Sequence, residues 1–434
     1  MRRRLLFIAL LFFASAFPAQ AEIRLIVRVT GGLSILQTAC RLIGCNVIRG
    51  LDDPLSQLFL ISGPNQISPV FFLLRLTSQL GIKSVEVDLP ITIVSPPPPP
   101  AGGLYAPPGL FDRQPVSYHG SMVWNGYANQ PAAGIVRARE AQAAFGALGG
   151  PIVAVIDTGI DHLHPALRNV VMPGYDFTRN QPGYASELAD VNQSTVAVVD
   201  GGPAKVNQST VAVVDQSTVA VVDDPRHAAF GHGTMVAGIV HLMAPRSTIM
   251  PLKAFRSDGS GYVSDIVRAI YWAARTNVRV INMSFSIPQR STELSTALEY
   301  ASSRQIICVA SAGNSGRSTL VYPAALNTVM GTASTNLQDR RSSFSNYGER
   351  LVWVAAPGEG TISSYPNATY AAGWGTSFST AFVSGAAALL VDMQPALGQG
   401  DAAQAIAKAK PVGREMGNGR LDVYRALQSV ASPQ

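Results

Sequence analysis

Three short motifs carry side chains that could act together in nucleophilic catalysis. Asp157 follows the apolar run 152–156, His232 stands between two glycines, and Ser377 follows Gly-Thr. A serine hydroxyl is unreactive at its ordinary pKa, so it needs a neighbouring base, and that base needs an orienting carboxylate. The three residue types together match the needs of acyl transfer. Each alone has a simpler interpretation, as a turn cap, a loop residue or a helix N-cap.

A fourth polar side chain could stabilise the negative charge that acyl transfer creates. Asn314 lies in Ser-Ala-Gly-Asn-Ser-Gly, directly after the apolar run 306–310. An amide at a strand end can donate to the oxyanion of a tetrahedral intermediate. With the backbone N–H of Ser377 at a helix start, it would complete an oxyanion hole. On its own, this motif is simply a turn.

The elements around these motifs predict an α/β unit. The runs 152–156, 278–283 and 306–310 are too apolar for a strand with one wet face. Helical periods lie between them, as at 264–274 with Ser264 as its N-cap. Such alternation favours a parallel sheet covered on both sides. Because ligand chemistry in such sheets sits at the carboxyl ends of the strands, we expect the four side chains to meet at one edge.

The contexts of the three motifs resemble those of the subtilisin-like serine proteases, the subtilases. They occur in the family's order Asp, His, Ser and read Val-Ile-Asp-Thr-Gly-Ile-Asp at 155–161, Gly-His-Gly-Thr-Met-Val-Ala-Gly at 231–238 and Gly-Thr-Ser-Phe-Ser-Thr-Ala at 375–381. The resemblance extends over residues 124–427. It implies a three-layer α/β fold with a mostly parallel sheet flanked by helices. It also implies a serine endopeptidase that hydrolyses proteins through an acyl-enzyme.

The resemblance further implies a role for each candidate residue. Asp157 would orient His232, the general base and later the general acid for the nucleophile Ser377. Asn314 would stabilise the oxyanion. The residues that would line the substrate site are Ser284, Phe285, Ser286, Ala312 and Gly313.

Two departures from the family pattern concern substrate preference. Ser286 stands where the family has a glycine beside the main specificity pocket, and Val321 stands where a glycine often lines its base. Added side chains at both positions predict a narrower pocket that prefers small or medium apolar residues.

No cofactor is expected to be required. Calcium remains possible, although Ala166 replaces an aspartate that several family members use as a ligand. His162 and His164 are a weak zinc signal, since no Cys or Glu lies beside them.

The N-terminus predicts export. Arg2, Arg3 and Arg4 precede a 13-residue apolar run, and Ala19-Gln20-Ala21 is a small-x-small cleavage site, so residues 1–21 are interpreted as a signal peptide. The alternative, a membrane anchor, needs about 20 apolar residues. No later stretch looks long and apolar enough to span. The chain is therefore expected in the extracellular space or the periplasm.

Three further segments follow the signal peptide. Residues 22–95 fit the order βαββαβ, with predicted strands near 23–29, 58–61 and 82–87. One predicted helix has Ser34 as its N-cap and runs toward Gly44, and a second lies near residues 70–80. By the resemblance, this segment is a ferredoxin-like propeptide that acts as chaperone and inhibitor and is removed by self-cleavage. Five consecutive prolines make 96–110 an extended linker. Residues 111–434 would be the catalytic domain.

An insertion at about 190–224 separates Asp157 from His232. Gln-Ser-Thr-Val-Ala-Val-Val-Asp occurs three times in it, at 193–200, 208–215 and 216–223. Three such copies are too few for a solenoid. They are interpreted as a duplication in a surface loop, with a functional array of strands as the alternative.

Composition excludes several classes of protein. The chain is 47% apolar and 14% charged, which excludes intrinsic disorder, and its 39 Gly and 29 Pro exclude a long coiled coil. Half of the net charge of +6 comes from Arg2 to Arg4, so the body offers no basic surface for nucleic acid. Cys40 and Cys45 lie near the N-terminus, and Cys308 is interpreted as a buried structural thiol.

These observations predict a secreted, self-processing serine endopeptidase that acts on protein or peptide substrates as a monomer, with its own propeptide as inhibitor. The alternative is a catalytically inactive binding protein on the same fold. A third possibility is a peptide ligase or esterase that shares the acyl-enzyme.

Overall fold

The computed structural model describes residues 23–64, 68–93, 107–191, 211–213 and 227–431. The predicted signal peptide, most of the proline linker and most of the repeats lie outside the described residues. Contacts divide the chain into two compact units, Met1–Gly50 with Ser56–Val87 and Leu51–Leu55 with Asp88–Gln434. This division falls before the proline run, whereas the sequence predicts a boundary near residue 95.

The first unit is a four-stranded antiparallel sheet with two helices. The strand order is β2-β3-β1-β4 and the element order is βαββαβ, as expected from the sequence. The elements are β1 (Arg24–Val29), α1 (Leu33–Ile43), β2 (Asn46–Gly50), β3 (Leu58–Ser62), α2 (Pro69–Thr77) and β4 (Ile82–Val87).

Three details of α1 differ from the sequence analysis or add to it. The prediction that Ser34 caps this helix is wrong, because the helix already begins at Leu33, after the positive-φ glycine Gly32. At its other end, Gly44 adopts the left-handed conformation that ends many helices. A disulfide between Cys40 and Cys45 spans this turn.

The second unit contains a large sheet and three small ones. Its strands are β5 (Pro90–Thr92), β6 (Pro115–Tyr118), β7 (Ser121–Trp124), β8 (Ile152–Asp157), β9 (Gly174–Asp176), β10 (Gln181–Gly183), β11 (Val211–Val213), β12 (Thr248–Lys253), β13 (Ser260–Tyr262), β14 (Val278–Met283), β15 (Ile307–Ser311), β16 (Met330–Thr335), β17 (Val354–Pro357), β18 (Thr361–Tyr365) and β19 (Thr369–Gly373). The helices are α3 (Asn125–Ala128), α4 (Pro131–Ile135), α5 (Ala138–Phe145), α6 (His232–Met243), α7 (Val263–Arg275), α8 (Thr292–Ser303), α9 (Thr376–Met393), α10 (Gln399–Ile406) and α11 (Val423–Val430).

The large sheet has the order β10-β9-β12-β8-β14-β15-β16-β17. Its neighbours pair in parallel except β10 with β9, which confirms the predicted mostly parallel α/β sheet. The central strands β8, β14 and β15 are buried along nearly their whole length. Helix α9 packs across β14 to β17 and against α6, while α7 and α8 pack on each other and on β14 and β15.

Helix α7 corrects a second predicted cap. The helix begins at Val263, so Ser264 lies inside its first turn. The backbone N–H and the hydroxyl of Ser264 donate to the carboxylate of Asp88, at 2.8 and 2.9 Å. A carboxylate suits this place because the first N–H groups of a helix lack partners within it. The cap is therefore supplied from a distant part of the chain.

Helix α9 corrects the expectation that no later segment could span a membrane. Thr376–Met393 is long and apolar enough by length and composition, but 89% of it is buried within the protein. Its apolar character follows from its place in the core, between α6 and the large sheet.

The repeats contribute one short strand to the described residues. Val211–Val213, in the middle of the second copy, pairs antiparallel with β19 and adds an edge to the sheet β11-β19-β18. The first and third copies lie outside the described residues.

Candidate active site

Asp157 and His232 lie at the ends of two elements that the glycines of their motifs bring close together. Asp157 is the last residue of β8, and His232 is the first residue of α6. A Cβ on Gly231 would lie 2.1 Å from the ring of Tyr365, and one on Gly233 would lie 2.1 Å from the carbonyl oxygen of Gly159. Gly233 therefore lets the helix approach the turn after Asp157, and Gly231 lets the start of the helix pack on Tyr365.

The two side chains form a buried pair. Nδ1 of His232 lies 2.7 Å from Oδ1 of Asp157, and both residues are at most 5% exposed. The backbone N–H of Thr158 donates to the same oxygen at 2.7 Å. Burial alone would lower the pKa of His232, but the charge and hydrogen bond of Asp157, aided by the charge of Glu187, raise it on balance.

Ser377 is the second residue of α9 and precedes Phe378, whose ring centroid lies 6.0 Å from that of His232. The Ser377 hydroxyl is not hydrogen-bonded to the imidazole. Oγ of Ser377 donates to the carbonyl oxygen of Ser284 at 3.1 Å, and Oγ of Ser284 donates to the carbonyl of Ser377 at 2.9 Å. Nε2 of His232 is buried and has no hydrogen-bond partner within the described residues. The imidazole thus has its carboxylate partner, while its other nitrogen remains free to accept a proton.

Asn314 is hydrogen-bonded to Thr376, the first residue of α9. Its Oδ1 accepts from the backbone N–H and the hydroxyl of Thr376, at 2.9 and 2.8 Å. The backbone N–H of Gly313 donates in turn to the Thr376 hydroxyl. Because the amide oxygen is occupied, the NH₂ group of Asn314 is the end that can donate to a ligand.

The five residues expected to line the substrate site differ in their surroundings. Ser284 contacts Ser377 directly, as described above. Phe285 is 3% exposed, and its ring centroid lies 5.2 Å from that of Phe255, so its side chain packs into the protein interior. Ala312 is fully buried. The hydroxyl of Ser286 lies 3.1 Å from where a Cβ on Gly313 would sit, so these two residues face each other.

Val321 belongs to the same neighbourhood as Ser286. Ile287 and Tyr322 exchange backbone hydrogen bonds of 2.7 and 2.8 Å, which brings their two chain segments side by side. Val321 is 8% exposed. Ser286 and Val321, the two positions where the resemblance leads us to expect glycine, are therefore on adjoining segments.

Sequence reasoning missed Glu187 and its hydrogen bonds to the residues next to Asp157 and His232. Glu187 lies in a short 3₁₀ helix, Glu187–Asp190, and contacts Thr158 and Thr234. The two threonines could have been noticed, since each belongs to a motif that carries a candidate residue. Glu187 belongs to no motif that indicates catalysis, because a serine followed by a glutamate is a common start of a short helix.

His162, His164 and the free cysteine Cys308 pack within the protein and show no sign of a metal site among the described residues. Nε2 of His164 lies 2.8 Å from the carbonyl of Thr369, and His162 stacks on Tyr184. Ala166 is fully buried, and among the described residues no group of three or more His, Cys, Asp or Glu is arranged to hold a metal ion. Cys308 is buried, and burial raises the pKa of its thiol to about 12.

Comparisons with known proteins agree with the motifs. The model of the subtilase family matches residues 149–422. The thermophilic serine proteinase of Bacillus sp. (strain AK1) is 35% identical over 241 residues, which are 56% of this chain and 52% of that protein. Subtilisin BL of Lederbergia lenta is 38% identical over 174 residues, 38% of this chain and 64% of the relative.

Thermitase of Thermoactinomyces vulgaris is matched over more of its length. It is 30% identical over 291 residues, which are 64% of this chain and 89% of thermitase. The chain spans only about half of the first relative and just under two thirds of the second. The family match nevertheless covers more than half of this chain and contains all four candidate residues. The chain therefore belongs to the subtilase family.

Proposed function

We propose that this chain is a serine endopeptidase that hydrolyses peptide bonds in proteins through an acyl-enzyme, with Asp157, His232 and Ser377 as its triad. The observation that carries the proposal is the buried Asp157–His232 pair, whose second imidazole nitrogen has no partner within the described residues. An inactive binding protein would not need to keep a carboxylate, an imidazole, a hydroxyl and an amide donor together.

The reaction follows from these contacts. When substrate binds, the hydroxyl of Ser377 turns from the carbonyl of Ser284 to Nε2 of His232, which takes its proton as Oγ attacks the scissile carbonyl. Asp157 stabilises the resulting imidazolium. The oxyanion accepts from the NH₂ of Asn314 and the backbone N–H of Ser377. His232 then gives its proton to the leaving amine, and water hydrolyses the acyl-enzyme by the same steps.

The residues around Gly313 support a narrow specificity pocket. The hydroxyl of Ser286 points at Gly313, and Val321 adds a branched side chain on the adjoining segment. We propose that the enzyme prefers small or medium apolar side chains before the cleaved bond. A panel of peptides that differ only at this position tests the proposal, and fastest turnover after Phe or Tyr would contradict it.

We further propose that the protein is made as a self-processing zymogen, with residues 1–21 as signal peptide, 22–95 as propeptide, 96–110 as linker and 111–434 as catalytic domain. The contacts of β5 support the idea that the C-terminal end of the propeptide inhibits the enzyme before cleavage. This strand pairs antiparallel with β13, and the N–H of Ile93 donates to the carbonyl of Gly259 at 3.0 Å. Phe255, which packs on Phe285 of the substrate segment, bridges to Gly261 of the same strand.

The mature enzyme is proposed to act outside the cytoplasm, in the periplasm or the medium, as a monomer without a required cofactor. Its partners are protein or peptide substrates and its own propeptide.

A serine-directed fluorophosphonate tests the catalytic proposal. The wild-type protein should gain the mass of the adduct on Ser377, whereas Ser377→Ala should not react. Ser379→Ala, two residues further along the same helix, is the matched control and should still be labelled. Adduct formation on another serine would contradict the assignment.

The Ser377→Ala variant also tests self-processing. Produced in a host that lacks extracellular proteases, it should keep the propeptide, while the wild type should begin after Ser95, the last residue of the proposed propeptide. N-terminal sequencing and intact mass separate the two. Normal maturation of the variant would contradict self-cleavage.

A further inference from the structure

Glu187 is a fully buried carboxyl group that the catalytic steps above do not use. It is 0% exposed and lies behind the Asp157–His232 pair, in the 3₁₀ helix Glu187–Asp190. An acidic side chain is almost never fully buried unless it is paired. Its contacts therefore need an explanation.

All of its recorded hydrogen bonds go to the two motifs that carry the acid and the base. Oε2 accepts from the backbone N–H of Gly231 at 2.8 Å and from the hydroxyl of Thr158 at 2.9 Å. Oε1 accepts from the backbone N–H of Thr234 at 3.3 Å and from the Thr234 hydroxyl. One carboxylate thus joins the turn after Asp157 to the first turn of α6.

We propose that Glu187 is a positioning residue of this active site, which holds Asp157 and His232 in register and makes their alignment depend on its own ionisation. The inference rests on the proposed function, and its experiment is chosen so that the two can fail separately.

The pattern of donors requires a carboxylate. Each oxygen of Glu187 faces one backbone N–H, and a backbone donor cannot reverse its direction as a hydroxyl can. A glutamine in this place would set its NH₂ group against an N–H whichever way the amide turned. The site therefore accepts the ionised group and rejects its neutral isostere.

Thr158 connects the ionisation of Glu187 to Asp157. Its Oγ1 accepts from the N–H of Gly233 at 3.0 Å, and its single proton can go to Glu187 at 2.9 Å or to Oδ1 of Asp157 at 3.3 Å. If Glu187 binds a proton and donates it to Oγ1, the threonine proton turns to Asp157. That oxygen already accepts from His232 and from the N–H of Thr158, so a further donor weakens its hold on the imidazole.

Charged and titratable groups face Glu187 from each element around it. They are Asp157 on β8, His232 on α6, Lys253 on β12 and Tyr365 on β18. Asp190 ends the same 3₁₀ helix as Glu187, and its carboxylate binds Lys253. Burial raises the pKa of Glu187 to about 7, while the two threonine hydroxyls and the charge of Lys253 act to lower it. Lys253 itself donates to Asp190 and to the carbonyl of Thr158. Glu187 can therefore gain or lose a proton near neutral pH.

The test replaces Glu187 in the full-length chain and follows two quantities. For Glu187→Gln we expect kcat to fall by about 10- to 100-fold with little change in KM, because the reacting groups are misaligned. Loss of a negative charge near the imidazolium should also lower the pKa of His232, so the acid midpoint of kcat/KM should move down by about half a unit or more. Glu140→Gln, an exposed position on α5, is the matched control and should change neither.

Three further variants separate the effect of the Glu187 charge from the effect of the side chain's length and contacts. Glu187→Asp keeps the charge but is shorter, so kcat should fall while the acid midpoint stays close to that of the wild type. Thr158→Val removes the hydroxyl that links the two carboxylates and should lower kcat, and Thr158→Ser should restore it. These variants keep the proposal testable if Glu187→Gln does not fold.

The pKa of His232 can also be measured without turnover. In a Ser377→Ala background, NMR titration of the imidazole should give a lower pKa when Glu187 is replaced by Gln. An unchanged pKa together with a wild-type pH profile in Glu187→Gln would overturn the positioning role, even if the enzyme cleaves peptides. A lower pKa in a protein that cleaves nothing would instead remove the proposed function and leave the electrostatic role intact.

Discussion

The two halves of the candidate active site differ in how completely they are assembled. In the acid–base half, Asp157 and His232 are buried and joined by a 2.7 Å hydrogen bond, with Glu187 bound behind them. In the nucleophile half, the hydroxyl of Ser377 is bonded to Ser284 and not to the imidazole. The Asp157–His232 contact is thus formed in this structure, whereas a contact between Ser377 and the imidazole is not.

The proposed reaction gives a physical reason, because it sets the two halves different tasks. The acid–base half has to hold a positive charge that appears in a buried place, and preorganised partners stabilise it without reorganisation during the reaction. The nucleophile must move from a resting contact to the imidazole and then to the substrate. Its hydroxyl therefore makes one exchangeable bond, to the carbonyl of Ser284.

The largest expected effect comes from removing the nucleophile. Ser377→Ala should lower kcat by a factor on the order of 10⁶, the size found for this constellation in the family. Thermal stability should hardly change, because only one neutral hydrogen bond is lost. Peptide hydrolysis and a thermal melt measure the two quantities. A large loss of stability would mean that the Ser377 hydroxyl is a structural contact as important to folding as the Asp157–His232 hydrogen bond.

The acid–base half is tested by Asp157→Asn. We expect kcat to fall by about 10⁴-fold, because the amide favours the wrong imidazole tautomer. The pKa of His232 should fall as well, since Asp157 is the main group that raises it. Activity requires neutral His232, so it should decline as the pH falls through this raised pKa in the wild type and at lower pH in the variant. A pH profile of kcat/KM checks the direction, and a shift to higher pH would contradict it.

The oxyanion side of the nucleophile half is tested by Asn314. Asn314→Ala should cost about 10²- to 10³-fold in kcat through the lost donor. Asn314→Asp keeps an acceptor for Thr376 but lacks the NH₂ group, so it should lose similar activity with less effect on folding. If only the alanine variant loses activity, Asn314 acts by holding Thr376 and not as a donor.

A smaller effect is expected from the second buried histidine of α6. His241 has no recorded partner on either ring nitrogen within the described residues, and burial, followed by the neighbouring His119 and His164, lowers its pKa to about 4. The unfolded chain therefore binds a proton at higher pH than the folded one. Stability should be lost as the pH falls from about 6.5 towards 4, by about 3 kcal/mol in total.

His241→Leu should flatten this part of the stability profile, measured by denaturant unfolding at several pH values. His232, which has Asp157 as a partner, should not contribute in the same direction. An unchanged slope in His241→Leu would show that other groups govern acid stability.

Much of the fold was predictable because its signals are local. The apolar runs at β8, β14 and β15 were recognised to within a residue or two, and their parallel pairing is confirmed. The predicted caps at Ser34 and Ser264 were wrong for a shared reason. Their helices begin before the serine, after a glycine turn in one case and beneath a distant carboxylate in the other.

The sequence by itself determined which residues could form the site. Asp157, His232, Asn314 and Ser377 stand in motifs whose glycines and flanking apolar runs place them at element ends, and these are short-range requirements. Only the tertiary structure decided how they are connected. Glu187 lies 44 residues before Gly231, and Ser284 lies 93 residues before Ser377, yet each forms hydrogen bonds with its partner. Such contacts depend on where folding brings distant segments, which no local pattern records.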